Sequence, residues 1–185
     1  FVHTLADYFR QTGAEVVTLR AGFPTATLDE LRPDLVVLSP GPGQPSDFDV
    51  AGTVRACLER DLPLFGVCLG LQGIVEYFGG RLALLDEPVH GKPSAIRVLG
   101  GRLLDGLPSS FEAGRYHSLY AQRETLPPDL MIAAETDDGL IMAVEHRGRP
   151  ISAVQFHPES IMTLKEQTGL RLVANAMQMA GVPAT

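Results

Sequence analysis

Two short, almost wholly apolar runs, Asp34-Leu-Val-Val-Leu38 and Leu64-Phe-Gly-Val67, constrain this chain more than any other feature. A strand with one wet face alternates apolar and polar residues, so an uninterrupted apolar run suits a parallel sheet covered on both faces. Helical patterns surround both runs. Leu5, Tyr8 and Phe9 recur at helical spacing and Gly13 supplies a stop, which predicts a helix over about residues 3–12. A strand over 14–19 and a helical turn over 28–31 follow before the first run. A helix over 48–60 separates the two runs, and another over 69–78 follows the second directly. This alternation predicts an α/β fold with an open, mostly parallel sheet and helices on both faces.

From about residue 80 the rhythm changes. Strands are expected over 95–99, 119–122, 131–135, 141–145 and 151–155, with few helices between them. Turn sequences at Asp137-Asp138-Gly139 and Arg147-Gly148-Arg149 suit antiparallel hairpins. A last helix over 164–179 carries Leu172, Val173, Ala176 and Met179 on one face and ends at Gly181. No repeat or linker divides the chain, so residues 1–185 read as a single domain, long enough to close a substantial core. The first helix has neither a strand ahead of it nor a Ser, Thr or Asp cap, which leads us to expect that an N-terminal strand has been trimmed.

Composition narrows the partners. A net charge of −7, from 22 acids against 15 bases, argues against a nucleic-acid backbone or an anionic membrane surface. No apolar run approaches the roughly 18 residues of a membrane span. Two cysteines are too few for a disulfide framework or a cysteine-built zinc site, so the expected setting is reducing and cytoplasmic, with no metal.

Three segments could carry chemistry. Gly66-Val67-Cys68-Leu69-Gly70 links an apolar strand to a helix, the context of a nucleophile elbow with cysteine in place of serine. Small residues two positions either side let strand and helix approach. Free N–H groups at the positive end of the helix would then favour thiolate over thiol. The plainer alternative makes Cys68 a buried small hydrophobe, which is the reading we adopt for Cys57 between Val54 and Leu58. In Gln155-Phe-His-Pro-Glu159, an extended backbone would point His157 and Glu159 the same way, so that the carboxylate orients the imidazole. The acid follows the histidine, unlike the order in α/β-hydrolases. Ser39-Pro-Gly-Pro-Gly-Gln-Pro45 lies beyond the C-terminal end of a parallel strand, where open α/β sheets bind ligands, and could offer N–H groups to an oxyanion. His3 and His146 read as solvated surface residues.

Together, Pro40-Gly-Pro-Gly43, Gly66-Val-Cys-Leu-Gly-Leu-Gln72, Tyr116-His-Ser-Leu119 and Gln155-Phe-His-Pro-Glu-Ser160 resemble the class I, triad-type glutamine amidotransferases over essentially the whole chain. Leu38 to Gly43, His90-Gly-Lys-Pro-Ser94 and Gln155 to Ile161 are most similar to the glutaminases of anthranilate synthase, and next to those of aminodeoxychorismate synthase. The resemblance implies a flavodoxin-like sheet, Cys68 as nucleophile, His157 as general base and acid, and Glu159 as orienting carboxylate. It further implies an oxyanion hole from the N–H groups of Gly43 and Leu69. Glutamine would be held by Gly41, Pro42, Gly43, Gln72, Ser118 and Leu119. His117 is expected to be structural or to bind. No cofactor is implied, and ammonia would pass to a chorismate-using synthase, on the same chain or separate.

Leu71 stands where many members carry histidine, and resembles the single-chain synthases in which both activities are fused. Members also open with a strand and an Asp-Ser pair ahead of the Phe-Val that begins this sequence, which would supply the strand and cap expected above. The polar segment His90–Ser94 is expected to be a loop near the synthase. Rival readings are a glutaminase for aminodeoxychorismate or a phenazine-type product, a DJ-1/PfpI-type cysteine hydrolase, and a regulatory subunit without turnover.

Overall fold

In the computed structural model, which describes residues 1–163, 165–183 and 185, the two apolar runs become the adjacent strands β1 (Val36–Leu38) and β2 (Leu64–Val67). Around them are α1 (Val2–Gln11), α2 (Ala26–Leu31), α3 (Val50–Glu59), α4 (Leu69–Tyr77) and α5 (Thr168–Met179). The other strands are β3 (Leu82–Val98), β4 (Ser110–Ala121), β5 (Leu130–Thr136), β6 (Ile141–His146) and β7 (Ile151–Val154). They form one sheet in the order β1-β2-β7-β6-β5-β3-β4. Strands β1, β2 and β7 run parallel, and every later neighbour is antiparallel. The expected change of rhythm is thus a change from parallel to antiparallel pairing.

The apolar runs are explained by two separate cores. Phe65, Val67 and Val154 pack on one face with Leu5 and Phe9 of α1 and with Leu172, Val173 and Ala176 of α5. Leu64, Ile151 and Ala153 pack on the other with Val54 and Cys57 of α3 and with Leu71 and Ile74 of α4. Neither face of β2 or β7 meets water, so neither needs a polar residue. Each large side chain buried this way contributes roughly 1.5–3 kcal/mol. Cys57 is a buried core thiol, as expected. No helix among the described residues is long and apolar enough to cross a membrane.

Four expectations need correction. Ala14–Leu19 forms no strand, because among the described residues β1 pairs only with β2 and no strand lies along its other edge. Ala14 and Val16 still pack on the core, whereas Val17 and Leu19 are 57% and 39% exposed. Strands β3 and β4 are much longer than the short pieces expected, and His90–Ser94 lies within β3 instead of in a loop. The β3 stretch from Leu82 to Ala95 is held by ladder bonds to β4, broken by register shifts between Leu84 and Val89 and between His90 and Lys92. It buries little, so no periodicity announced it. The last helix begins at Thr168 after short 3-10 turns, and Leu164 lies outside the described residues. His146 is no free surface group, since its Nδ1 accepts the N–H groups of Gly148 and Arg149 in the hairpin turn.

The open edge of β1 and the unpaired Ala14–Leu19 segment lead to one expectation. Extending the chain ahead of Phe1 by about a dozen residues able to form a strand should raise Tm by a few degrees, since about 1 kcal/mol moves Tm by roughly 2–4 °C at this size. An unchanged Tm in a thermal melt would show that this edge takes no strand.

Candidate active site

The elbow is built by two glycines. A Cβ on Gly66 would sit 2.7 Å from the carbonyl carbon of Gly70, and one on Gly70 would overlap the Leu38 carbonyl oxygen. Only hydrogen at both positions lets α4 start this close to β1 and β2. Cys68, caught between them, is forced to φ +55° and ψ −99°, a conformation that costs a non-glycine residue of order 1–3 kcal/mol. Its N–H donates to the Val154 carbonyl at 2.8 Å, so the elbow is tied to the end of β7. The three residues after β7 then carry the chain to His157. Parallel pairing of β2 with β7 therefore delivers Cys68 and His157 beyond the same, C-terminal end of these strands.

His157 and Glu159 come together by a different route from the one expected. The strand ends at Val154, and His157-Pro-Glu-Ser160 is a turn closed by the Ser160 N–H on the His157 carbonyl at 3.2 Å. The Thr163 hydroxyl donates to the same carbonyl at 2.7 Å and accepts the Gly114 N–H at 3.0 Å, while the His157 N–H donates to the Gly114 carbonyl at 2.9 Å. A Cβ on Gly169 would overlap the Pro158 carbonyl oxygen, so the start of α5 closes the turn from behind. Within this clamp Glu159 Oε1 lies 2.7 Å from His157 Nδ1. An ionised carboxylate can only accept, so Nδ1 carries the proton and Nε2 presents a lone pair. Nε2 is buried without a partner among the described residues, as is Glu159 Oε2. The rings of Phe1 and Tyr116 flank the imidazole at 4.6 and 4.9 Å.

The Cys68 thiol is 5% exposed, and its charge balance corrects another expectation. Burial pushes its pKa up to about 12, and the Glu159 charge pushes the same way. The N–H of Leu69 and the side chain of Gln155 oppose this without cancelling it. The Leu69 N–H at the helix end does favour thiolate, but desolvation is larger, so the net shift is against the thiolate. It donates weakly to the Tyr116 carbonyl at 3.8 Å.

The remaining predicted residues fall in two places. Gly41 to Gly43 form an exposed loop, and a Cβ on Gly41 would sit 3.1 Å from the Leu69 side chain, so the loop lies over the start of α4. Gly43, at φ +75°, leaves room for the Asp47 carboxylate, which accepts the Gln44 N–H at 2.9 Å and holds the loop's shape. Gln72 is buried and its Nε2 donates to the Leu119 carbonyl at 3.0 Å, which brings Gln72, Ser118 and Leu119 together. The same carbonyl is 2.8 Å from His117 Nδ1, and His117 Nε2 accepts from Arg115 Nε at 3.0 Å. His117 is thus structural. Gln155 and Arg115 were missed by sequence reasoning. The signal for Gln155 was its place two residues before His157 in one motif. Arg115 had none, since nothing in the residue order shows that its guanidinium caps His117 two residues along β4.

Burial, with the nearby Arg115 and His157 charges, lowers the His117 pKa from 6.5 to about 4, against the pull of the Leu119 carbonyl. Between those values the unfolded chain binds a proton that the folded chain excludes, so stability falls as pH drops from about 6.5 towards about 4. Urea unfolding of wild type and His117→Gln at a series of pH values between about 4 and about 7 should show a shallower acid limb in the variant. Equal slopes would remove His117 from that limb.

The family model described as glutamine amidotransferase class-I matches residues 1–176. An anthranilate synthase of Azospirillum brasilense is 65% identical over 177 residues, which cover 96% of this chain and 24% of that protein. The aminodeoxychorismate/anthranilate synthase component 2 of Bacillus subtilis is 40% identical over 164 residues, covering 88% of this chain and 84% of that protein. The chain therefore spans about a quarter of the first relative and most of the second. The crystal structure of a Thermoplasma acidophilum protein, provisionally described as one component of a GMP synthase, superposes with a TM-score of 0.86 at 26% identity over 98% of this chain and 88% of that one. With an elbow cysteine and a carboxylate-held histidine beyond the same end of two parallel strands, the chain belongs to the class I glutamine amidotransferases.

Proposed function

We propose that this domain hydrolyses the side-chain amide of glutamine through a thioester on Cys68 and delivers the ammonia to a chorismate-using synthase that makes anthranilate. The observation that carries the reading is the buried, unpartnered Nε2 of His157, whose Nδ1 is held by Glu159, beyond the same end of the parallel strands as the strained Cys68 elbow. The sulphur rests as a thiol, so the first act is transfer of its proton to Nε2. Thiolate then attacks the amide carbon and forms the C–S bond. The imidazolium returns the proton to the leaving nitrogen, and ammonia departs. Water attacks the thioester as His157 takes its proton, the C–S bond breaks, His157 returns that proton to the sulphur, and glutamate leaves. Glu159 offsets the positive charge that His157 carries between these transfers.

Both steps pass through an oxyanion, for which the N–H groups of Leu69 and Gly43 are the proposed donors. The Leu69 N–H bears on the sulphur, and the Pro-Gly-Pro-Gly loop rests against the Leu69 side chain, which supports the assignment. Glutamine is assigned to the space between Gly41, Pro42, Gly43, Gln72, Ser118 and Leu119. Since Gln72 Nε2 is committed to the Leu119 carbonyl, Gln72 would meet the ligand through Oε1. These groups suffice for amide hydrolysis without a cofactor. Two free cysteines and no membrane-spanning helix among the described residues support a cytoplasmic site of action.

The anthranilate assignment rests on the 65% identical relative named anthranilate synthase, and its greater length supports a synthase domain on the same chain. The Bacillus subtilis relative carries both names, which supports a second reading in which the same glutaminase feeds aminodeoxychorismate synthesis and the synthase decides the product. The exposed side of β3 around His90 and Lys92 is the proposed contact with that synthase. It pairs across the sheet with Tyr116 and Arg115, and so lies one strand from the site.

Two measurements test this. Glutamate release with glutamine as substrate should fall about 1,000-fold or more in Cys68→Ser, while product formation from added ammonia and chorismate by the paired synthase is retained. Surviving glutamine turnover would overturn the mechanism. Lys92→Glu should weaken binding to the synthase and lower glutamine-dependent product formation. Unchanged binding and coupling would move the contact elsewhere.

A further inference from the structure

A chain of buried hydrogen bonds runs through the site and ends on the sulphur. Gln155, with 0% exposure, directs Nε2 to Cys68 Sγ at 3.5 Å, while its Oε1 accepts from Gln72 Nε2 at 3.3 Å. The orientation of the Gln155 amide is not free. Gln72 Nε2 is a donor, because it also bonds the Leu119 carbonyl, so the end of Gln155 that faces Gln72 must be its oxygen and the end that faces sulphur must be N–H. The Leu119 carbonyl is fixed in turn by His117 Nδ1, His117 Nε2 by Arg115 Nε, and Arg115 Nη1 by the Ser94 hydroxyl at 3.2 Å. Each link fixes the orientation of the next, from β3 and β4 through α4 to the nucleophile.

We propose that Gln155 is a positioning residue for the nucleophile: its amide N–H, aimed by Gln72, holds the Cys68 sulphur in place and stabilises it as thiolate during both steps. This rests on Cys68 being the nucleophile. The physical need is plain from the site's own burial. A thiolate formed in so dry a place requires fixed donors, and the described structure supplies two, the Leu69 N–H from α4 and the Gln155 amide from the segment after β7. Of the charged groups nearby, Glu159 from the following turn bears on this sulphur, while His157 and Arg115 bear on the neighbouring His117. Gln155 differs from all of them in being uncharged, so its effect is a constant offset and not a new titration.

The experiment reads the sulphur directly. The rate at which iodoacetamide alkylates Cys68 is followed against pH in wild type, Gln155→Met and Gln155→Glu, with the labelled peptide identified by mass spectrometry to exclude Cys57. Methionine keeps the bulk and removes the donor. Glutamate replaces the donor with an acceptor. We expect alkylation at neutral pH to slow about tenfold in Gln155→Met and further in Gln155→Glu, with the pH midpoint moved upwards in that order. The kcat/KM profile for glutamine should move the same way. A purely structural role would leave the midpoint unmoved. Gln72→Met keeps Gln155 but frees its oxygen, and is expected to give a smaller shift of the same sign, which also serves if the Gln155 variants fail to fold. Folded variants with the wild-type alkylation profile would overturn the proposal. Glutamine turnover that persists in Cys68→Ser would instead overturn the nucleophile assignment on which it stands.

Discussion

The close approach of β2 to α4, allowed by the missing side chains of Gly66 and Gly70, is the constraint on which the rest of the structure depends. It forces Cys68 into its strained conformation and places the positive end of α4 against the sulphur. It also sets where everything else must come. The Cys68 N–H completes the β2–β7 pairing on the Val154 carbonyl, and the chain beyond β7 is thereby aimed at the sulphur. Gln155 and His157 are the first polar side chains it delivers. Strain at the elbow is held by burial on both faces of the sheet, where neither strand has anywhere to slip.

Burial explains the site's chemistry as much as its shape. Cys68, Gln72, His117, Gln155, His157 and Glu159 are all buried, so each charge formed during turnover lacks water and must be met by a fixed group. Burial therefore pushes the Cys68 thiol up, Glu159 holds the His157 ring by Nδ1, and Tyr8 has its phenol pushed up by burial and by the Glu159 charge. In a wet site the same residues would interact weakly. In this one a hydrogen bond at 3.5 Å to sulphur is a meaningful part of the balance.

Much of this was legible in the residue order. The apolar runs announced β1 and β2, the glycine spacing announced the elbow, and the His-Pro-Glu triplet announced the hydrogen-bonded His157–Glu159 pair. What failed did so for identifiable reasons. Ala14–Leu19 has the composition of a strand, but a strand needs a neighbour to bond to, and composition does not reveal one. The long β3–β4 ladder is held by backbone bonds while burying little, and backbone bonds leave no trace in side-chain periodicity. Glu159 reaches His157 through a turn because Ser160, Thr163 and Gly114 close it, and Gly114 comes from a distant part of the chain, on β4.

Local sequence, by itself, determined which residues could react: a cysteine between small neighbours at a strand–helix junction, and a histidine with a carboxylate two residues on. These follow from short-range sterics and bonding, which act between residues close in the chain. Only the tertiary structure decided how those residues are charged and aimed. That burial pushes the Cys68 thiol up, that burial pushes the His117 imidazole down, and that Gln155 presents its N–H to Cys68 all depend on the surroundings each group meets in the fold. Such terms belong to the packed molecule, because the cost of burying a polar group is set by what surrounds it and not by its place in the sequence.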